Sequence, residues 1–358
     1  MNVRLNKLAK PPEDYSPQYI KCVRSGNVTE FTELQFQPGE IGTIRISNDY
    51  YILASDYNNP DKCNAVTDAI VRYLTQDEID EQFLHQYEHS ETKADETCQQ
   101  SVKRSLEKIR RIINANCTDA AKLHWVTLTY AENMTDTEQL RADFETFWKR
   151  FKRWCKKSGY PAPEYITVVE PQGRGAWHCH CFFIWSISCP YIDNNSTLAP
   201  MWGHGFVKIT GCNSNCDNVG AYFSAYLSDM SLDEFRNSDV AQNVTQSGGN
   251  FPIVTKSVTT DRQGTPVPKT EKKFVKGARL VLYPPNMRIY RTSRGVKQPD
   301  VTVMTRKQAE EEKAQAGKLT FQSTVSVEKI PEDGQELEQE KRPKPQIVHK
   351  EYYNKKRK

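Results

Sequence analysis

The run Trp177-His178-Cys179-His180-Cys181-Phe182-Phe183-Ile184-Trp185 constrains the fold more than any other stretch of the chain. Its apolar, alternating character reads as a β-strand, whose side chains point to opposite faces in turn. His178 and His180 therefore share one face, and Cys179 and Cys181 share the other. A strand-borne His-x-His brings two neutral imidazole nitrogens toward one point, a common start for a divalent metal site. Hydrogen-bonded interior histidines are the ordinary alternative.

The neighbouring segments supply a sheet around that strand. His124-Trp125-Val126-Thr127-Leu128-Thr129-Tyr130 alternates as a strand. Residues 136 to 157 follow as an amphipathic helix with an apolar stripe of Leu140, Phe144, Phe147, Phe151 and Trp154. Its end carries Lys149, Arg150, Lys152, Arg153, Lys156 and Lys157, which complement the helix dipole. Gly159 and Pro161 stop the helix. Tyr165 to Glu170 reads as a further strand, Gly173-Arg174-Gly175 as a tight turn, and Gly205 to Ile209 as a fourth strand. This order predicts an α+β domain with a central antiparallel sheet and helices packed on it.

Two more features gather around the histidines. Glu170 precedes His178 across one turn, so a hairpin would bring its carboxylate beside the imidazoles. Two histidines and a carboxylate suit Mg²⁺ or Mn²⁺ bound together with a phosphate. Tyr222 and Tyr226 lie four apart in a predicted helix over 217 to 230, capped by Asp217 or Asn218, so both phenols share a face. A metal at a phosphate with a phenol alongside is a kit for cutting single-stranded DNA through tyrosine. Tyrosines seated on a sheet for packing are the plain alternative.

Bulk properties narrow the classes. The 358 residues carry 49 basic and 45 acidic side chains, net +4, so nucleic-acid contact must use local patches. Lys149, Arg150, Arg153, Arg174 and Lys208 are the candidates. A hydrophobic fraction of 37% and a mean hydropathy of −0.73 predict solvated segments. Residues 1 to about 60 suggest a small β element, 75 to 115 one or two helices, and 237 to 250 a flexible loop. No apolar run approaches a membrane span and Met1-Asn2-Val3-Arg4-Leu5 lacks a signal-peptide core, so a cytoplasmic protein with no membrane partner is expected. Its ten cysteines are then expected to be reduced. Cys212 and Cys216, with Cys189 or His204, leave a structural zinc site open beside free thiols. No GxxxxGK[ST] phosphate loop occurs.

Three segments in order resemble the motifs of HUH rolling-circle replication initiators of plasmids and small single-stranded DNA phages. Val126 to Tyr130 resembles their first strand motif and Trp177 to Phe182 the His-hydrophobic-His motif. Gly220-Ala221-Tyr222-Phe223-Ser224-Ala225-Tyr226-Leu227 resembles the tyrosine helix. Trp202 to Val207, Lys276 to Leu280 and Tyr290 to Gly295 are similar to the branch related to the filamentous-phage gene II replication protein. The resemblance covers about 118 to 298. It implies a five-stranded, RNA-recognition-like palm and metal-dependent nicking of single-stranded origin DNA. Tyr222 or Tyr226 would be the nucleophile, with Glu170, His178 and His180 as ligands, followed by rejoining.

Host helicase, polymerase and single-strand-binding protein are the implied partners. Many relatives carry a lysine where this chain has Ala225. An origin-binding protein without strong catalysis, or a mobilisation relaxase or transposase with the same chemistry, is the alternative. The implied organisation is an accessory region over 1–115, suggested for origin recognition, and a nicking core over 116–232. An extension of the core over 233–300 and a charged tail without fixed structure over 301–358 complete it.

Overall fold

The computed structural model describes residues 2–17, 19–35, 43–45, 51–53, 94–173, 175–211, 217–238, 253–260, 266–284, 287–330 and 346–357. In chain order the first strands are β1 (Asn2–Leu8), β2 (Tyr19–Ser25), β3 (Val28–Gln35), β4 (Thr43–Arg45) and β5 (Tyr51–Leu53). Then come helix α1 (Ala94–Asn116), β6 (Leu123–Thr129), α2 (Thr137–Lys157), β7 (Glu164–Pro171) and β8 (Trp177–Ile184). They are followed by α3 (Ala199–Trp202), β9 (Val207–Gly211), α4 (Val219–Ser228), β10 (Met230–Ser231) and α5 (Leu232–Arg236). The remainder is β11 (Ile253–Thr260), β12 (Pro266–Val275), β13 (Tyr290–Thr292), β14 (Asp300–Met304), α6 (Arg306–Gln315), β15 (Lys318–Ile330) and β16 (Gln346–Asn354).

The chain divides into two units, residues 91–298 and residues 1–90 with 299–358. Both are built on antiparallel sheets, as the α+β expectation required.

In the unit of residues 91–298 a five-stranded sheet runs in the order β13-β7-β8-β6-β9. The four strands expected from alternation are its centre and one edge. Its back face carries Thr167, Cys181 and Val126 in one row and Val169, Cys179 and Leu128 in the next. Helix α2 covers that face, with Phe147 and Phe151 stacked on Phe183 at ring distances of 6.4 and 4.8 Å. Asp136 caps α2 by accepting from the Glu138 and Gln139 amides, and Tyr160, Gly159 and Ser158 close its far end on α2 carbonyls. Full burial of rings of this size contributes roughly 1.5–3 kcal/mol each before entropy is counted.

The front face is covered by α4, against which α1 packs. At the crossing, a Cβ on Gly220 would lie 2.2 Å from the Arg110 carbonyl oxygen, so only glycine lets the helices approach this closely. The Gly220 amide donates to Asn114 Oδ1 (2.8 Å), and Asn114 Nδ2 donates to Asn218 Oδ1 (2.9 Å). Asn218 caps α4 through the Ala221 amide. Helix α1 thus joins the unit of the tyrosine helix, although the sequence assigned 1–115 to a separate region.

The other unit corrects the expectation of a structureless tail. Strands β14, β15 and β16 join β1, β2 and β3 in a six-stranded sheet of order β1-β15-β16-β3-β2-β14. The charges that suggested disorder meet one another here. Arg24 reaches Glu312 and Asp300 at 2.8 Å each, and Lys313 reaches Glu33 and Glu351 at 2.5 and 2.6 Å. The predicted β element near residues 40 to 54 is the β4–β5 pair. The expected loop over 237–250 lies outside the described residues beyond 238, and so do residues 75–93 of the predicted helical region. No helix among the described residues is long and apolar enough to cross a membrane.

Candidate metal and tyrosine site

The hairpin between β7 and β8 sets the site. Its turn closes with the Gln172 amide on the Ala176 carbonyl (2.8 Å) and the Gly175 amide on the Gln172 carbonyl (2.9 Å). Gly175 takes a positive φ of 81°, the left-handed conformation that glycine adopts without strain. This register pairs Glu170 with His178 and Val168 with His180. The sheet then extends the rows to Thr129 and Thr127 of β6. Lys208 of β9 pairs with Thr127, which places it in the His180 row.

Glu170 and His180 are buried, and the His178 side chain keeps 17% of its surface exposed. His180 Nε2 lies 2.7 Å from Glu170 Oε2, and His178 Nδ1 lies 4.0 Å from the same oxygen. One donor atom from each of the three residues falls within 4.8 Å of the others, so the cluster could hold a metal ion. The donor set fits: two imidazoles and a carboxylate form a mixed nitrogen and oxygen site with one side accessible through His178. Thr127 Oγ1, 3.2 Å from His180 Nδ1, can accept a proton there and leave Nε2 free as a ligand atom.

Arg279 was missed as a site residue by the sequence, which noticed only the segment around it. It lies in a 3₁₀ turn, Ala278–Leu282, and is buried. Its Nη1 donates to the Pro171 carbonyl (2.8 Å) and lies 3.2 Å from Glu170 Oε1. Its Nη2 donates to Glu234 Oε2 (2.6 Å), and its Nε to the Asp229 carbonyl (3.1 Å). Glu234 in turn accepts from the Gly173 amide at 3.1 Å. One guanidinium therefore ties the hairpin to the segment that follows the tyrosine helix. Burial by itself would raise the Glu170 carboxyl. The His180 hydrogen bond and charge, then Arg279 and His178, outweigh it and hold the carboxyl below its ordinary value.

Tyr222 is 63% exposed on α4, beside this cluster. Its ring meets Trp125 edge-on at 5.9 Å, and Trp125 meets His180 at 6.2 Å. Phe223, the next residue, is the buried anchor of the helix. It packs edge-on against Trp125, His180 and Phe182 at 5.3, 5.4 and 4.9 Å. The aromatic anchor and the exposed phenol are thus consecutive residues, which explains why the helix can both pack and present. Tyr226 lies on α4 one turn later, and its side chain is outside the described residues.

The remaining candidates separate. Lys149, Arg150 and Arg153 ride on α2, which covers the opposite face of the sheet, and Arg150 Nη1 donates to the Met201 carbonyl at 2.9 Å. Arg174, Cys212 and Cys216 lie outside the described residues. His204, one suggested zinc ligand, sits 3.4 Å from Asp143 and packs on Trp202. Cys179 and Cys181 are buried on the back face with sulfurs 3.8 Å apart, away from the histidines.

Residues 123–231 match the model of a family of replication-associated proteins, that of ORF2 and the phage gene II protein. This segment is of the gene II-related replication type. It contains β6, the histidine strand and the whole tyrosine helix, so the resemblance of those motifs is borne out across them. No curated protein and no solved structure matches the chain.

Proposed function

We propose that the chain initiates rolling-circle replication by nicking single-stranded origin DNA of its own replicon, as an HUH endonuclease. The observation that carries this is an exposed Tyr222 set against Trp125, whose other neighbour is His180 of the buried Glu170-His178-His180 cluster. Glu170, His178 and His180 would hold Mg²⁺ or Mn²⁺. When bound, the ion would neutralise charge on the scissile phosphate.

Tyr222 is assigned the first attack. Its phenol loses a proton, the Oη–P bond forms, the P–O3′ bond breaks, and the departing oxygen takes up a proton to become a 3′-OH. The resulting 5′-phosphotyrosine conserves the bond for rejoining, when a 3′-OH reverses the exchange. Tyr226 is proposed as the second phenol for strand transfer. Lys208, in the His180 row, is suited to a backbone phosphate near the site. Unwinding and synthesis are assigned to a host helicase, polymerase and single-strand-binding protein.

A gel assay for covalent protein–DNA adduct tests the reading. It uses Mn²⁺, single-stranded fragments tiling the encoding replicon, and wild type, Tyr222→Phe, Tyr226→Phe, the double variant and His180→Ala. The expected result is an adduct with wild type that Tyr222→Phe and His180→Ala lose. Absence of adduct with every fragment, metal occupancy having been verified, would replace the enzyme with an origin-binding protein.

A further inference from the structure

The back of the five-stranded sheet holds a second feature that the nicking chemistry does not use. A cleft of about 360 Å³ opens between α2 and the β13 edge. Its apolar floor includes Leu140, Phe144, Val169 and Met287, and three arginines line it: Arg141, Arg288 and Arg291. The volume is in the range of small-ligand sites. The acidic groups at hand are Glu138, also in the lining, and Glu145.

The charge arrangement points to an anion. Arg141 Nε and Arg291 Nη1 share a single oxygen, Glu145 Oε1, at 3.2 and 3.6 Å. Burial, then the charges of Arg141 and Arg288 against that of Glu145, draw the Arg291 guanidinium below its ordinary value. Guanidiniums brought together at a cleft repel one another until an anion is shared among them, and their planar forks match phosphate oxygens. The floor supplies an apolar surface for a flat ring next to that phosphate.

We propose that this cleft binds a nucleotide unit of single-stranded DNA, its phosphate on Arg141, Arg288 and Arg291 and its base on the apolar floor. The site lies on the sheet face opposite Glu170, His178 and His180. It rests on the reading of the chain as a DNA-acting replication protein, but it requires neither metal nor nicking.

The test uses the full chain in EDTA, so that loss of nicking cannot be mistaken for loss of the cleft. Labelled dT12 is titrated by fluorescence anisotropy at several salt concentrations against wild type, Arg288→Ala/Arg291→Ala and a control, Lys156→Ala/Lys157→Ala. The control removes equal charge from exposed positions on α2. The cleft variant is expected to bind about tenfold more weakly, with a salt slope reduced by roughly 0.7 for each phosphate that it no longer engages. The control is expected to stay near wild type. Equal losses in both variants, or none in the cleft variant, would overturn the proposal.

Hydrogen exchange separates the two sources of the ligand. Protection of 137–144 and 287–292 by dT12, absent in the cleft variant, assigns the site to the strand. Protection by dTMP alone keeps the nucleotide site and moves its ligand to the free pool. Protection by neither overturns it.

Discussion

Arg279 and Glu170 should behave as one energetic unit. Arg279→Met keeps much of the volume and removes donors from the Pro171 and Asp229 carbonyls, from Glu234, and from Glu170 Oε1 at 3.2 Å. Glu170 is buried, so its carboxylate would then face His180 and His178 without a permanent cation. Removing one partner of a buried pair typically costs about 3–5 kcal/mol. Glu170→Gln keeps the shape and the His180 hydrogen bond, and leaves Arg279 its Glu234 partner, so about 1–2 kcal/mol is expected. In the double variant no charge is stranded at position 170. Its destabilisation should therefore fall short of the sum of the two single changes by about 1–3 kcal/mol. Urea unfolding in EDTA followed by tryptophan fluorescence measures this, because all six tryptophans (125, 148, 154, 177, 185 and 202) lie within residues 91–298. Single changes that add to the double within about 0.5 kcal/mol would refute the coupling.

Other expectations follow from particular contacts. Gly220→Ala drives a methyl to 2.2 Å from the Arg110 carbonyl, so the same assay should show a loss of about 1–3 kcal/mol; an unchanged midpoint would contradict the close crossing. Removal of residues 318–358 takes β15 and β16 from between β1 and β3, and residues 2–35 should become protease-sensitive. A tail without structure would leave their cleavage pattern unchanged. Burial lowers His124 from 6.5 to about 4, with Trp185 Nε1 donating to its Nδ1 at 3.1 Å. The unfolded chain then binds the extra proton between those values, so the His124 contribution is full above pH 6.5 and declines as pH falls toward 4. Allowing for the partial exposure of the ring, about 1–2 kcal/mol is at stake. His124→Asn should flatten that part of the stability profile, measured by urea titration from pH 4 to 7. An identical profile would refute it.

The site was legible where its geometry is local. Alternation alone separates His178 and His180 from Cys179 and Cys181, and a hairpin closed at Gly175 pairs Glu170 with His178 without help from distant residues. The tyrosine helix was legible through its spacing and its cap. Arg279 was not, because its contacts to Glu170 and Pro171 cross more than a hundred residues and its own segment has no periodicity that points inward. The sheet that joins residues 2–35 to 300–354 was hidden for a related reason. β15 reads Lys-Leu-Thr-Phe-Gln-Ser-Thr-Val-Ser-Val-Glu-Lys-Ile, alternating but polar, and its stabilising neighbours lie at the other end of the chain. Charge density suggested solvation; pairing of Arg24 with Glu312 and of Lys313 with Glu33 turns that charge into part of the packed unit.

The same alternation explains why one sheet can serve two chemistries. Each central strand of residues 123–184 sends polar, ligand-bearing side chains forward and apolar ones back, so α2 can seal the back without touching Glu170 or the histidines. Sealing stops where α2 meets the β13 edge. There Thr167, Val169 and Cys179 remain at a cleft rimmed by Arg141, Arg288 and Arg291. A change of register by one residue between β7 and β8 would exchange the two faces and abolish both features together. Substitutions confined to one face should leave the other intact. Arg288→Ala/Arg291→Ala is therefore expected to retain wild-type metal binding at Glu170, His178 and His180, followed by Mn²⁺ titration. Loss of that binding in a folded variant would show that the two faces are coupled through the strands they share.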